Sequence, residues 1–304
     1  MVERAGKTVR LRTVLTILLV VAIVVTWLAL WQWHAIRRAV GGPAAAEAGA
    51  APPPVDAGAA DAAISEPKPT PAEAAWADAL GAPPRWPGEL DQPIDCESAE
   101  AELARVCRAL DAAAPFDEVS TPGGSCAVLR DAAEALARRP PDVASELASY
   151  PTLLANAFHL FRVVGRERMS LLRRALDTRP ELIEPAALAG YRWALTRADC
   201  ARSGSTPIRL EPMYDYAVFL FRTLGGQAYL RRRDPAVEAL ASFYALLIVD
   251  RADREGANPL GVDPRRDVER TRRLIAGSDL VFRDRYLDAL DGVAARWAGR
   301  GTPR

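Results

Sequence analysis

The longest apolar run of the chain extends from Thr13 to Trp33 and contains no charged side chain. At about 1.5 Å of rise per residue, a helix of this length crosses the hydrocarbon core of a bilayer, which is about 30 Å thick. In lipid, a helix satisfies its own backbone hydrogen bonds. We therefore predict a transmembrane helix over residues 13–33. Its length and bulky end favour a retained signal anchor over a cleaved signal peptide.

The flanks of this run predict its orientation. Four basic residues precede it and two follow it closely, so the positive-inside rule places residues 1–12 in the cytoplasm as a short tail. Three tryptophans cluster at the far end, where indole rings suit the boundary of the bilayer. The residues expected at the two membrane boundaries are Arg10, Arg12, Trp27, Trp31, Trp33, Arg37 and Arg38. This predicts a single-pass protein of the inner (cytoplasmic) membrane, with the lipid bilayer as a partner and an exported C-terminal part.

Residues 34–92 are predicted to be a tether. From residue 41 to residue 75 the chain consists mainly of Ala, Pro and Gly, and its only larger aliphatic side chains are Val55 and Ile64. Such a segment cannot bury enough apolar surface to offset the entropy of ordering. Beyond it, Trp76, Leu80 and Trp86 are positioned to hold the end of the tether on the domain.

Residues 93–304 carry helical periodicity throughout, with apolar side chains recurring every three or four residues. Prolines, glycines and capping residues separate the segments, and Asp234-Pro235 is a typical helix start. No alternating β-branched run predicts a strand. We predict an all-α domain with helices over residues 97–112, 125–139, 151–165, 166–178, 182–197, 212–232, 235–250, 264–275 and 279–297.

Two nine-residue segments are similar to each other. Residues 157–165 (AFHLFRVVG) and 217–225 (AVFLFRTLG) match at five positions, 60 residues apart. Stacked helix pairs produce such similarity and create a concave surface for partners. The domain is therefore either an irregular bundle or a helical-repeat-like array.

The cysteines indicate an oxidising compartment. All four lie in the part predicted to be exported, and their even number predicts two disulfides, with four unpaired buried thiols as the alternative: Cys96, Cys107, Cys126 and Cys200. One pairing joins Cys107 to Cys126 across a helical hairpin, which leaves Cys96 for Cys200. The other pairing, Cys96–Cys107 with Cys126–Cys200, requires Cys96 to precede the helix, because eleven residues of helix separate two cysteines by about 16 Å.

Charge and chemistry narrow the possible functions. The 39 basic and 39 acidic residues balance, so nothing favours nucleic acid as a partner. Three weak candidates for chemistry are the lone His159 of the domain, the carboxylates Glu211 and Asp215 one helical turn apart, and an acidic loop that starts at Asp250. None has the spacing of a catalytic or metal motif. We predict no catalytic, cofactor or metal site.

The layout of anchor, tether and helical domain favours a protein-binding or scaffolding module of the cell envelope, braced by disulfides and with a protein partner. Two alternatives remain. The first is an envelope hydrolase that uses carboxylates outside any recognised motif. The second is a signalling subunit that acts through a membrane partner, because a twelve-residue tail is too short to carry an output domain.

Overall fold

Helices account for all the regular structure in residues 69–90, 92, 94–113, 123–146, 148–197, 200 and 207–299, which the computed structural model describes. These residues belong to one compact unit. A 3₁₀ turn, Pro180–Leu182, precedes the seventh of its α-helices. The α-helices are α1 Pro71–Leu80, α2 Cys96–Ala113, α3 Gly124–Arg138, α4 Tyr150–Ala157, α5 His159–Val164, α6 Arg166–Thr178, α7 Ile183–Thr196, α8 Leu210–Arg222, α9 Leu224–Leu230, α10 Pro235–Arg254, α11 Arg265–Ala276 and α12 Arg283–Ala298. The all-α prediction is confirmed for this part of the chain.

The segment predicted to cross the membrane, residues 13–33, lies outside the described residues, as do its boundary residues and the tether up to residue 68. Across the part of the chain that the structure describes, no helix combines the length and the apolar character that crossing a bilayer requires.

Helix α1 extends the domain into the segment predicted as a tether. The Thr70 hydroxyl accepts a hydrogen bond from the Glu73 backbone N–H (3.2 Å), and the Glu73 carboxylate accepts one from the Thr70 N–H (2.7 Å). This reciprocal capping starts a helix in alanine-rich sequence. Trp76 is buried, with its ring centroid 5.4 Å from that of Phe282. Capping and this anchor together order residues that composition alone assigns to a linker.

Helix α10 is the central element of the main core. Its start is the predicted one, since the Asp234 side chain accepts from the Ala236 N–H (2.9 Å) and Pro235 occupies the first turn. The helix is buried on nearly every side, and it packs against α7, α8, α11 and α12. Aromatic rings pack against this helix, and the ring centroids of Phe243 and Tyr286 are 4.7 Å apart. A helix that is apolar all round belongs inside a bundle.

Two helices predicted as continuous are broken. The segment 151–165 divides at Phe158 into α4 and α5, and the segment 212–232 divides at Thr223 into α8 and α9. Thr223 causes its break, because its hydroxyl donates to the Phe219 carbonyl (2.7 Å) and accepts from the Gly226 N–H (3.0 Å). A threonine that caps a new helix cannot also continue the old one.

The internal similarity does not extend to helix boundaries. Residues 157–165 leave the helix at their second and ninth positions, Phe158 and Gly165, whereas residues 217–225 do so at their seventh, Thr223. The two segments therefore occupy different places in their local structures.

Two disulfides brace the unit, and they select one of the two predicted pairings. Cys96 bonds to Cys200 with Cα atoms 5.5 Å apart, and Cys107 bonds to Cys126 with Cα atoms 5.3 Å apart. The other pairing is wrong because Cys96 begins the helix that contains Cys107. The Asp95 carboxylate starts that helix by accepting from the Ser98 N–H (2.8 Å).

Candidate functional site

The predicted carboxylate pair lies on one helix. Glu211 and Asp215 occupy the first two turns of α8, as their spacing requires. Partial burial, and secondarily the Glu211 charge, raise the pKa of Asp215. Glycoside hydrolysis needs two carboxyl groups on either side of the bond to be cleaved. Neighbours on one helix face point in the same direction, so this pair does not form that arrangement.

The predicted acidic loop is helical in its first part, because α10 continues to Arg254 and so contains Asp250 and Asp253, and its polar groups bond to one another or to nearby elements. Asn258 Oδ1 accepts from the Tyr214 hydroxyl (2.6 Å) and from the Val262 N–H (2.9 Å), and its amide donates to Asp253 Oδ1 (3.1 Å). Asp250 points away from the loop, to Trp297 Nε1 (3.0 Å). Within the described residues no group of three His, Cys, Asp or Glu side chains is arranged to hold a metal ion.

His159 is buried and engaged. Its Nε2 lies 2.7 Å from the Tyr216 hydroxyl, which itself donates to the Arg139 carbonyl (3.0 Å). We therefore assign the proton to Nε2, which donates to Tyr216. Burial, and secondarily the positive charge of Arg162, lower the pKa of this imidazole. The ring packs 5.9 Å from Phe219 between centroids, so His159 joins α5 to α8 as a neutral packing residue.

The most unusual feature of the described surface is a group of exposed apolar side chains on α4, on α5 and at the start of α9. Large exposed hydrophobic side chains number six in this part of the chain, and five of them belong to this group. We name the group the α4–α5 surface. Its members are Tyr150 (72% exposed), Leu154 (42%), Phe158 (64%), Phe161 (45%) and Leu224 (60%).

The amphipathic pattern of this surface is partly inverted. In α4 the buried side chain is the polar Asn156, and in α5 the polar His159 is buried together with Val164, while Phe161 points to solvent. A surface helix of a globular protein normally buries its apolar stripe and exposes its polar residues. Clustered exposed hydrophobic side chains mark interaction sites more often than scattered ones do.

Buried hydrogen bonds hold this inverted arrangement. Glu146, which is itself buried, accepts from the Asn156 amide (2.7 Å) through one oxygen and from the Leu224 N–H (2.8 Å) through the other. Asn156 also donates to the Asp142 carbonyl (2.9 Å). These bonds fix the polar side of α4 inward, which leaves its apolar side facing outward.

Glycine brings the helices around this surface together. A Cβ on Gly225 would lie 2.5 Å from the Asn156 carbonyl oxygen, and a Cβ on Gly226 would lie 2.0 Å from that of Phe219. Only glycine permits this approach of α9 to both α4 and α8. Gly225 and Gly226 therefore allow α9 to pack closely against its neighbours.

The sequence located part of this surface but not its direction. The spacing of Leu154, Phe158 and Phe161 is that of one helical face. Asn156 and His159 are polar and three residues apart in this segment, and this spacing is the sequence feature that could have indicated a polar face turned inward. Two exposed basic residues, Arg162 and Arg166, are close to Phe161 along the chain.

An exposed apolar and aromatic group with arginines nearby in the chain has the composition typical of a protein-binding patch. Comparisons with protein-family models, with curated proteins and with solved structures find no match for this chain.

Proposed function

We propose that this chain is a single-pass, membrane-anchored protein of the cell envelope whose helical domain binds another protein through the α4–α5 surface. The observation that carries the proposal is the partly inverted pattern of α4 and α5, in which polar side chains are buried and aromatic side chains face solvent. Full burial of a large apolar side chain by a partner would contribute about 1.5–3 kcal/mol of favourable transfer free energy. Exposure to water leaves this contribution unrealised.

The exposed arginines near the surface suggest the charge of the partner. Arg162 and Arg166 are exposed and close to Phe161 along the chain, and Phe158 and Phe161 are two exposed aromatic side chains. Aromatic anchors and arginines dominate the binding energy of most interfaces, and complementary charge at the rim sets orientation. The proposed partner presents an apolar face with acidic residues at its border.

Two further observations support an exported location. The uncharged run 13–33 has the length and the flanking charges of a signal anchor. The domain contains two disulfides, which persist in oxidising compartments and are rare in the cytosol. The tether between anchor and domain allows the domain to reach a partner at a distance from the bilayer.

Site-specific photo-crosslinking in cells tests the binding surface. A photoreactive phenylalanine analogue at position 158 of the full chain is expected to give one discrete protein adduct. The same analogue in place of Asp288, an exposed residue of α12, provides the control. No adduct at position 158, or the same products from both positions, would contradict the proposal.

A pair of variants tests whether apolar contact drives the interaction. Leu154→Gln with Phe158→Gln is expected to weaken co-isolation of the crosslinked partner by at least about tenfold, because two central apolar contacts are lost. Leu260→Gln is the matched control, since Leu260 is similarly exposed (43%) on a different loop. Unchanged co-isolation by the double variant would remove the α4–α5 surface from the proposal.

A topology reporter tests the compartment. A phosphatase that is active only after export, fused after Arg304, is expected to be active, and a reporter that fluoresces only in the cytoplasm is expected to be dark. Deletion of residues 13–33 should reverse both results. Cytoplasmic activity of the full-length fusion would show that the domain is not exported.

A further inference from the structure

A concave site lies on a different part of the domain from the α4–α5 surface, where α1 and the segment after it meet α2 and α7. This cavity has a volume of about 660 Å³. Pockets that hold small organic ligands have volumes of about 300–1,000 Å³. The cavity is therefore large enough for a ligand the size of an amino acid derivative or larger.

The inner part of the cavity is apolar and fixed in place. Leu80 and Val106 line it together with Trp86. The Trp86 ring packs at centroid distances of 5.2 Å from Phe282 and 5.4 Å from Tyr286. These edge-to-face contacts hold the indole without help from a ligand, and a preformed apolar wall binds a ligand at a low ordering cost.

The polar part of the cavity carries an excess of positive charge. Three arginines line it against one carboxylate, Glu102. Two of them, Arg85 and Arg105, are exposed at the mouth, whereas the side chain of Arg192 is only 7% exposed. Arg192 Nε lies 3.1 Å from Glu102 Oε2, so the single carboxylate is already engaged by the innermost cation.

We propose that this cavity binds a small organic anion with an apolar body, a carboxylate or phosphate group attached to an aromatic or aliphatic part. One acid cannot neutralise three guanidinium groups, and a planar guanidinium donates two parallel hydrogen bonds to a carboxylate or phosphate. The apolar part of the ligand then packs against Trp86 and Leu80 while its anionic group meets Arg105 at the mouth. This site does not depend on the α4–α5 surface or on the proposed protein partner.

Calorimetric titration of the full chain, reconstituted in lipid nanodiscs, with 4-phenylbutyrate tests the proposal. The neutral 4-phenylbutanol and the cationic 4-phenylbutylammonium have the same apolar body, and empty nanodiscs correct for partition into lipid. Saturable binding of the anion is expected, with affinities at least about tenfold weaker for the other two probes. In ¹⁵N-indole spectra, the signals of Trp76 and Trp86 should shift, whereas those of Trp193 and Trp297 should not.

Matched arginine variants on α2 test the role of the cavity. Arg105→Gln should weaken binding of 4-phenylbutyrate about threefold to fivefold, because an exposed charge contact is lost. Arg108→Gln removes the same charge from the same helix at an exposed position that does not line the cavity, and it should have no effect.

Three results would overturn the proposal. One is the absence of saturable binding at millimolar 4-phenylbutyrate. Another is equal affinity for the three probes, which would show apolar binding without recognition of charge. The third is an equal loss of affinity for Arg105→Gln and Arg108→Gln, which would show a general effect of net charge.

Discussion

At the scale of single residues, buried polar groups of this domain join its helices. Asp250 on α10 is 2% exposed and accepts from Arg296 Nε (3.1 Å) and Trp297 Nε1 (3.0 Å) on α12. Glu184 accepts from the backbone N–H groups of Val281 (2.8 Å) and Phe282 (3.0 Å) at the start of α12. Burial of a carboxylate is tolerated when its oxygens are satisfied in this way.

His159 makes the stability of the domain depend on pH. Its pKa in the folded protein is below the ordinary value of about 6.5, so the unfolded chain binds this proton first as the pH falls. Stability from His159 is therefore complete above about pH 6.5 and is lost as the pH falls towards the folded pKa. His159→Gln is expected to reduce the loss of unfolding free energy between pH 7 and pH 5, measured by urea titration.

The second histidine of the sequence provides the control for that measurement. His34→Gln removes the other histidine of the sequence, which lies outside the described residues, and should leave the pH dependence of unfolding unchanged. The comparison between variants cancels contributions of other groups, such as Glu184, whose pKa burial raises. An identical pH dependence in the wild type and in His159→Gln would show that this imidazole does not titrate differently on folding.

At the scale of helices, periodicity and capping signals found most elements, whereas close contacts decided where two of them end. The Asp234-Pro235 start of α10 and the extent of α6 follow the sequence closely. The break between α8 and α9 depends on the Thr223 hydroxyl, which accepts from the Gly226 N–H, and on Gly226, where a Cβ would lie 2.0 Å from the Phe219 carbonyl oxygen.

Substitution by alanine is expected to change the stability of the domain in opposite directions at Gly226 and at Gly190. In Gly226→Ala the new methyl group would meet the Phe219 carbonyl at 2.0 Å, and overpacking of this kind costs about 1–3 kcal/mol. Gly190 lies within α7, where a new methyl group would meet no atom of another element within 4 Å, so Gly190→Ala should stabilise the domain by about 0.5–1 kcal/mol. Thermal and urea unfolding measure both, and a loss of stability in both variants would contradict this account.

At the scale of the whole molecule, the two disulfides constrain chain segments of very different length. Cys107 and Cys126 are 19 residues apart and close one hairpin, whereas Cys96 and Cys200 are 104 residues apart and join α2 to the chain after α7. The short bridge lies inside the loop that the long one closes. The long bridge therefore has the larger effect on the entropy of the unfolded chain.

Paired cysteine variants measure this difference. Cys107→Ala with Cys126→Ala is expected to cost about 3 kcal/mol of unfolding free energy, and Cys96→Ala with Cys200→Ala about 4–5 kcal/mol, if lost chain entropy dominates. Equilibrium unfolding in urea gives both values, and non-reducing peptide mapping checks the pairing. Four thiols that react with an alkylating agent in the unreduced native protein would exclude both bridges.

The sequence by itself determined the helical class, most helix starts and the need to account for four cysteines, because these depend on contacts within a few residues. Only the tertiary structure decided that α4 and α5 turn their aromatic side outward, where the candidate site lies. That choice rests on Glu146 binding the Leu224 N–H, 78 residues away, and on Gly225 reaching the Asn156 carbonyl. A helical face is a local property, but the direction in which it points is set by partners distant in the chain.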